Sequence, residues 1–445
     1  MSIAIEQTIQ ALQVVLQGVP IGTNLGLLQL LWSMVNGSFL TSRGAIFPAM
    51  QASGFTKGEI RRGWAALRGG VWRIDELLTT WRTYVQGQGR WQAHEYEGYR
   101  PVAADITAFW RMRLKGWLGR YFNGIANRLL GGVGLAIVVE VGQVDGHRMP
   151  LLRKIIRAHP KDMSQDKLKE MVLAWLARNL AANELALFDA GAHISDMQSV
   201  GMARFVIRQA KNCTARRNFL PDYKGGRPPE YGQLVRPLAR KRKGKTLAAS
   251  KPDKTDTFVY QGRTIKVHRW YDLVSANHKV AQQQATFDIL VFFDPLYRDP
   301  LVLATNVTLL PETVFQMYLD RWPVEQVPLV AKQTLGLGRH FVFAPESCQR
   351  LPELALLAGN ILTYLAATLP PMPTGFWDRC PKKRPDACGG SWPRLIFQFK
   401  PFLMGNFGKS SRLHTTYQRA LTLIAAKNGI PDRFSPYLRL FEPFC

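Results

Sequence analysis

The feature that most constrains the fold is a series of short apolar segments between Tyr99 and Arg208, separated by turn signals. The runs GLAIVVEVG and RMPLLRKII are joined by Asp145-Gly146, a dipeptide that between two extended runs is a strong hairpin signal. Residues 165–180 have helical periodicity, and NELALFDAGAH contains a buried strand that ends at Asp189. Such alternation of strands and helices predicts a mixed α/β chain.

The order of these segments is strand, hairpin, helix, strand, helix, strand, which is the order of a ribonuclease-H-like mixed sheet. The first strand, YRPVAADIT, is predicted to end at Asp105 beside Thr107, and residues 110–130 are predicted to be helical. The first and fourth strands of this fold are adjacent, so we expect Asp105 and Asp189 to lie together. A turn-forming role for Asp105 stays open. Glu140 and Asp145 compete for its place, but they fall within the hairpin strand and its turn.

A second informative stretch is TLLPETVFQMYLDRWPVEQVPLVAKQTLGLGRH, residues 308–340. On an unbroken helix with about 100° per residue, four of its polar side chains would share one stripe roughly 60° wide. Pro323 and Pro328 require that helix to kink or restart. The alternative is an amphipathic surface helix with ion pairs within the helix. The four residues are Tyr318, Arg321, Glu325 and Lys332.

The spacing Tyr, two residues, Arg, three residues, Glu, six residues, Lys resembles, without a gap, the signature of cut-and-paste DDE transposases of bacterial insertion sequences. Arg321-Trp322 and the Leu-Gly-Leu at residues 335–337 are similar to that family, as is Asp-Ala-Gly at residues 189–191 followed by Arg-Phe-Val-Ile-Arg. The chain departs from the family at Pro328, where an aromatic residue is usual.

The resemblance implies an active site in which three carboxylates hold two Mg²⁺ or Mn²⁺ ions, since hard oxygen ligands suit these cations. It implies phosphate contacts from Arg321 and Lys332, and a contact of Tyr318 with the DNA backbone. The implied catalytic and metal-binding residues are Asp105, Asp189 and Glu325.

The implied reaction is cleavage of double-stranded DNA at transposon ends through a hairpin intermediate, followed by strand transfer into target DNA. Enzymes of this kind act as homodimers on paired ends. Two rivals stay open: a catalytically inactive DNA-binding relative, and a metal-dependent nuclease of the same fold that cuts without joining.

Charge supports a nucleic-acid partner, because the 445-residue chain has a formal net charge of +26. Residues 208–279 carry 18 Lys/Arg against 5 Asp/Glu, in a stretch that resembles the β-rich insertion of the same transposases. We predict a flexible basic loop followed by a β-ribbon around Gln261-Gly262. The alternative is a solvated surface excursion with Trp270 packed in its own hairpin. The predicted DNA-contacting residues are Arg240, Lys241, Arg242 and Lys243 in the loop, and Arg263, Lys266, Arg269 and Trp270 in the ribbon.

The remaining segments complete a five-part organisation. Residues 1–95 are predicted to be a helical DNA-binding region, in which Thr56 caps the second helix of a pair with helix-turn-helix proportions, although an ordinary helical hairpin fits equally well. Residues 96–208 and 286–370 form the two parts of the catalytic core, 209–285 the insertion, and 371–445 a C-terminal helical region.

The five scattered cysteines, and an N-terminus without secretory features, predict a cytoplasmic, nucleoid-associated bacterial protein without a membrane partner. Cys380 and Cys388 lack a second Cys/His pair at zinc spacing, so no zinc site is expected there.

Overall fold

The structure is a computed structural model that describes residues 3–369, apart from 21, 112, 223–224, 243, 281–284 and 340. It is a mixed α/β chain with helices and a large mixed sheet, as predicted. The predictions for the C-terminal region, including Cys380 and Cys388, lie outside the described residues.

The helices are α1 Ile3–Val15, α2 Thr23–Val35, α3 Ser38–Thr41, α4 Ile46–Ala52, α5 Lys57–Gly69, α6 Ile74–Gly87, α7 Gln165–Asn179, α8 Ile194–Ser199, α9 Pro311–Leu319, α10 Gln326–Leu329 and α11 Pro345–Thr368. The strands are β1 Trp91–Ala93, β2 Arg100–Trp110, β3 Arg120–Asn123, β4 Arg128–Glu140, β5 Gly142–Val144, β6 His147–Arg148, β7 Leu151–Arg157, β8 Glu184–Phe188, β9 Phe205–Arg208, β10 Ala215–Arg217, β11 Leu234–Val235, β12 Arg240–Arg242, β13 Lys245–Leu247, β14 Lys254–Tyr260, β15 Arg263–Ser275, β16 Phe287–Phe293 and β17 Leu301–Thr305.

The chain divides into two compact units. Among the described residues, the first unit comprises the chain up to Ala93, Ile106–Leu168, and the chain from Pro323 onward. The second unit comprises His94–Asp105 and Lys169–Trp322. Strand β2 and helix α7 each contribute residues to both units.

The N-terminal part of the first unit is helical, as predicted, from α1 to α6. Helix α5 begins with a capping box: the Thr56 hydroxyl accepts the Glu59 backbone N–H, and the Glu59 carboxylate accepts the Thr56 N–H at 2.8 Å. This arrangement satisfies backbone donors that a helix start leaves without partners. Gly54, with φ of 86°, allows the tight connection from α4 to α5.

Helix α11 forms much of the core of the first unit and contacts β7. The fully buried Asn360 is central to this packing. Its side-chain oxygen accepts the Trp81 indole N–H at 2.9 Å and the Leu152 backbone N–H at 3.2 Å, and its amide donates to the Pro150 carbonyl at 2.7 Å. Among the described residues, α11 is the one helix long and apolar enough to cross a membrane, and most of it is buried in the protein.

The strands of the first unit confirm one prediction and correct another. Asp145 and Gly146 have φ of 49° and 78° and turn β5 into β6, as expected for a tight hairpin. The predicted helix over residues 110–130 is wrong, because β2 runs to Trp110 and β3 and β4 form an antiparallel hairpin. Gly119 packs so closely against the Gly132 carbonyl that a Cβ would lie 2.5 Å from its oxygen, which favours this extended pairing over a helix.

The large mixed sheet of the second unit has the strand order β11-β10-β15-β16-β17-β9-β8-β2, with β14 paired to β15. Strand β8 is parallel to β2 and to β9, whereas the other pairs in this unit are antiparallel. Gln261 and Gly262, with φ of 49° and 76°, form the predicted turn between β14 and β15. Because β15 pairs with β16, the inserted strands continue this sheet.

Candidate functional site

Two predicted site carboxylates lie at the same level on neighbouring parallel strands. The register of β2 on β8 pairs Arg100 with Glu184 and Ala103 with Leu187. Asp105 and Asp189 each come two residues after the last of these pairs, where adjacent strands are about 4.8 Å apart. Both residues are partly exposed. The register therefore places Asp105 and Asp189 at equivalent positions along neighbouring chain segments, and the meeting of their carboxylates stays a prediction.

Asp105 itself lies in the middle of β2, because the strand continues for five further residues to Trp110. The expectation that it ends a strand is therefore wrong. Asp189, by contrast, directly follows the last residue of β8, as predicted. The polar residues Asp105 and Thr107 indicated a shorter strand. The apolar residues Ala108 and Phe109 are buried and extend β2 beyond it.

The Asp189 carboxylate lies among one phenol and two guanidinium groups of the second unit. Tyr318 donates a hydrogen bond to it at 3.2 Å. Arg321 Nη2 and Arg208 Nη1 lie 3.8 and 3.7 Å from its oxygens, which are ion-pair distances. The Asp189 side chain is 37% exposed, so these pairs are partly screened. A half-exposed carboxylate beside two cations is suited to a site that binds phosphate and a metal ion together.

Tyr318 acts here as a hydrogen-bond donor. Burial raises the pKa of its phenol to about 12, and the charge of Asp189 adds to this effect, while Arg321 and Arg208 oppose it. The phenol is therefore protonated at neutral pH, and it is a poor nucleophile. The guanidinium of Arg321 lies over the Tyr318 ring, 5.5 Å from its centroid, which fixes the two side chains against each other.

Asp320 holds the end of α9 in place. Its carboxylate is 1% exposed and hydrogen-bonds to His94 Nδ1 and to the Tyr96 hydroxyl. At the other end of α9, the Leu310 backbone N–H donates to Glu97 at 3.2 Å. The short segment before β2 thus binds both ends of the helix that carries Tyr318. Asp320 was not among the residues predicted for the site, although its carboxylate directly precedes Arg321 in the sequence.

Glu325 and Lys332 belong to the first unit, in an interrupted helix. A 3-10 helix, Trp322–Glu325, is followed by α10 and by a π-helical turn, Val330–Thr334. The prediction that the prolines kink or restart the helix is confirmed, so the single stripe of an unbroken helix does not form. Single π-helical turns are frequent at functional sites.

The Lys332 ammonium is held against β2. It donates to the Thr107 hydroxyl at 2.6 Å and lies 5.1 Å from the centre of the Phe109 ring. Thr107 and Phe109 alternate with Ala108 along the strand and so share one face of it. The predicted cation is therefore held by the part of β2 that belongs to the first unit.

The competing carboxylates have structural partners in the first unit. Glu140 pairs with Arg82 and lies 3.9 Å from Arg153, and Asp145 pairs with Arg90. Across the described residues, no group of three or more His, Cys, Asp or Glu side chains is arranged to hold a metal ion. The convergence of Asp105, Asp189 and Glu325 stays a prediction.

Three of the four ribbon side chains that were predicted to contact DNA form hydrogen bonds within the protein. Arg263 forms two hydrogen bonds with Asp294 at 3.1 and 3.2 Å. Arg269 is 5% exposed and binds Asp288 at 2.6 Å and the Leu309 carbonyl at 2.9 Å. Trp270 is fully buried, and its indole donates to the Lys251 carbonyl at 2.9 Å. The predicted DNA contacts of Arg269 and Trp270 are therefore wrong, because both side chains are buried. Lys266 is exposed.

The predicted basic loop is a short hairpin instead, because β12 and β13 pair from Arg240 with Leu247 to Arg242 with Lys245. Arg240 is anchored to the Asn212 carbonyl at 2.8 Å, while Lys241 is exposed. Lys243 lies outside the described residues. No acidic residue occurs between Glu230 and Asp253, so this hairpin concentrates positive charge.

Comparison with known proteins adds no relative: no protein-family model and no curated protein matches the sequence.

Proposed function

We propose that this protein is a metal-dependent enzyme that cleaves DNA strands and transfers them, with a ribonuclease-H-like catalytic core. The observation that carries the proposal is the register that sets Asp105 and Asp189 at one level of adjacent parallel strands. The strand pairings agree with the core: β2 and β9 flank β8 in parallel, and β4 lies between β2 and β7. The spacing of Tyr318, Arg321, Glu325 and Lys332 assigns the remaining roles by resemblance.

The donor set fits Mg²⁺ or Mn²⁺, because Asp105 and Asp189 offer hard carboxylate oxygens at adjacent positions. Glu325 is the proposed third ligand. When bound, two such ions lower the pKa of an attacking water or hydroxyl and stabilise the departing oxygen of a phosphodiester. Cleavage by water breaks one P–O bond and leaves a 3′-hydroxyl and a 5′-phosphate. In strand transfer, that 3′-hydroxyl attacks a second phosphodiester, forms a new P–O bond and releases the 3′-hydroxyl of the strand that is cut.

The protein's own groups bind and orient the DNA in this scheme. Arg321 and Arg208 lie beside Asp189 and provide positive charge for a phosphate. Tyr318 keeps its proton and donates a hydrogen bond, to Asp189 without DNA and to a backbone oxygen with DNA. Lys332, fixed by Thr107, contributes a point charge that acts in the ground state and in the transition state alike.

The decisive experiment replaces each proposed ligand without changing its shape. Asp105→Asn, Asp189→Asn and Glu325→Gln should abolish cleavage and joining in Mg²⁺, measured on a labelled duplex that contains the DNA flanking the coding sequence. Binding of that duplex should change by only a few fold, because a ligand's charge acts mainly in the transition state. Lys332→Ala should weaken binding and cleavage together. The matched controls Asp299→Asn and Glu76→Gln change exposed carboxylates elsewhere.

Binding of Mn²⁺, followed by electron paramagnetic resonance, gives a readout independent of activity. Asp105→Asn and Asp189→Asn should each weaken it, and the two controls should not. Near-normal cleavage by Glu325→Gln would remove Glu325 from the site. DNA binding without cleavage by the native protein would favour the inactive relative, and cleavage without joined product would favour the nuclease.

A further inference from the structure

The hairpin of β3 and β4 in the first unit extends beyond the part of β4 that pairs with β7. Its strands pair from Arg120 with Gly131 to Asn123 with Arg128, whereas the pairing of β4 with β7 begins only at Leu135. The tip is fixed by a hydrogen bond from the Ala126 backbone N–H to the Asn123 side chain at 2.9 Å. A short, closed turn of this kind presents its side chains with little loss of conformational freedom on binding.

The hairpin exposes several large apolar side chains to solvent. Ile125 at the tip is fully exposed, and Phe122 and Leu129 are 54% and 59% exposed. Phe122 and Leu129 are directly opposite each other in the register, so they share one face of the hairpin. Leu118, just before β3, is 67% exposed. Several large apolar side chains exposed on one short hairpin are typical of an interaction surface.

The charge of the same segment indicates the kind of partner. Between Asp105 and Glu140 the sequence contains five Lys/Arg and no Asp or Glu. Arg120 and Arg128 are exposed on the hairpin strands themselves. Apolar side chains that stack on bases, together with cations that hold phosphates, are the combination with which proteins bind unpaired nucleic acid or wedge into a base step.

We propose that the β3–β4 hairpin binds DNA at unpaired or unstacked bases, with Phe122 and Ile125 against the bases and Arg120 and Arg128 on the flanking phosphates. This inference rests on the proposed function for the identity of the polymer as DNA. It assigns the hairpin the task of gripping DNA where the duplex is open.

The test measures DNA binding alone, in EDTA, by fluorescence anisotropy with two probes, a 30-nucleotide oligo(dT) and a 30-base-pair duplex. The double variant Phe122→Ser/Ile125→Ser should bind oligo(dT) about ten- to a hundredfold more weakly, since stacking contributes about 1–3 kcal/mol per base. Its duplex affinity should change less than about threefold. Arg120→Ala and Arg128→Ala should each reduce the slope of log affinity against log salt by about 0.7 on the single strand.

The matched control is Val71→Ser/Arg73→Ala, which removes an exposed apolar residue and a neighbouring cation from another surface of the same unit. Circular dichroism should show every variant folded, because the changed side chains are exposed.

The inference is overturned if the double variant binds oligo(dT) with the same affinity as the wild-type protein. It is also overturned by a native dimer in sedimentation that the double variant dissociates while its DNA binding is unchanged, because the patch would then join two copies of the chain. If the double variant loses oligo(dT) binding although the native protein shows no metal-dependent cleavage, the inference stands and only the proposed function fails.

Discussion

Replacing Trp270 by alanine should destabilise the protein without a specific effect on DNA. The indole is fully buried in β15, and the Lys251 carbonyl accepts its N–H at 2.9 Å. Burying an indole removes about 150–250 Å² from water, worth about 4–6 kcal/mol at about 25 cal/mol/Å². Measured Trp→Ala changes in cores cost about 3–5 kcal/mol, and loss of the part-buried hydrogen bond to the Lys251 carbonyl adds up to about 1 kcal/mol. We expect a loss of about 4 kcal/mol.

The assay is urea denaturation followed by circular dichroism, combined with DNA affinity measured well below the unfolding transition. Trp270→Phe is the informative partner variant, because it keeps most of the packing and loses the hydrogen bond, at a cost of about 1–2 kcal/mol. A Trp270→Ala protein that keeps its stability within about 1 kcal/mol but loses DNA binding or cleavage would refute this reasoning. It would restore the DNA contact that the sequence predicts for Trp270.

Three further outcomes follow from the structure. Asn360→Leu should destabilise the first unit by about 3 kcal/mol or more, because the buried Trp81 N–H, Leu152 N–H and Pro150 carbonyl lose their hydrogen-bond partner. Urea denaturation measures this loss, and a value below about 1 kcal/mol would contradict the expectation. Burial raises the pKa values of Tyr121, Tyr318 and Tyr364 to about 12, above the ordinary value of 10.0. The contribution of these groups to stability is therefore complete below pH 10 and is lost between pH 10 and 12. The loss is up to about 1.4 kcal/mol per pH unit for each tyrosine. Stability measured against pH should fall less steeply in Tyr121→Phe. Neutralising Arg240, Lys241, Arg242 and Lys243 together should flatten the salt dependence of DNA affinity, and an unchanged slope would mean that this hairpin does not contact DNA.

Local rules were sufficient wherever a turn or cap depends on neighbouring residues. Asp145-Gly146 and Gln261-Gly262 adopt the positive φ values that tight hairpins need, and Thr56 caps α5. The parallel pairing of β2 with β8 was predictable from element order, since a helical crossover between strands favours a parallel neighbour. Together these features predicted the mixed sheet.

Other features depend on contacts between residues far apart in sequence, and local patterns failed there. Trp110 and Tyr121 lie in strands, although their segment was predicted to be helical. The close packing of Gly119 on the Gly132 carbonyl favours the pairing of β3 with β4. Arg269 was predicted to contact DNA from its position in the ribbon of a basic stretch. Its partners, Asp288 and the Leu309 carbonyl, lie 19 and 40 residues away. Net charge therefore overstates the cations available to DNA.

The ion pairs that neutralise this stretch also indicate where its binding capacity remains. Arg217 pairs with Asp253, Lys279 with Glu230, and Arg263 with Asp294, so much of the positive charge is matched locally. The β12–β13 hairpin has no acidic residue within its sequence neighbourhood, and the same holds for β3–β4. The field of a protein is set by charges that lack a close opposite partner, and those charges also release counterions when they bind a phosphate backbone. On the proposed function, we therefore expect salt to weaken DNA binding most strongly at these two hairpins, more than at the central ribbon.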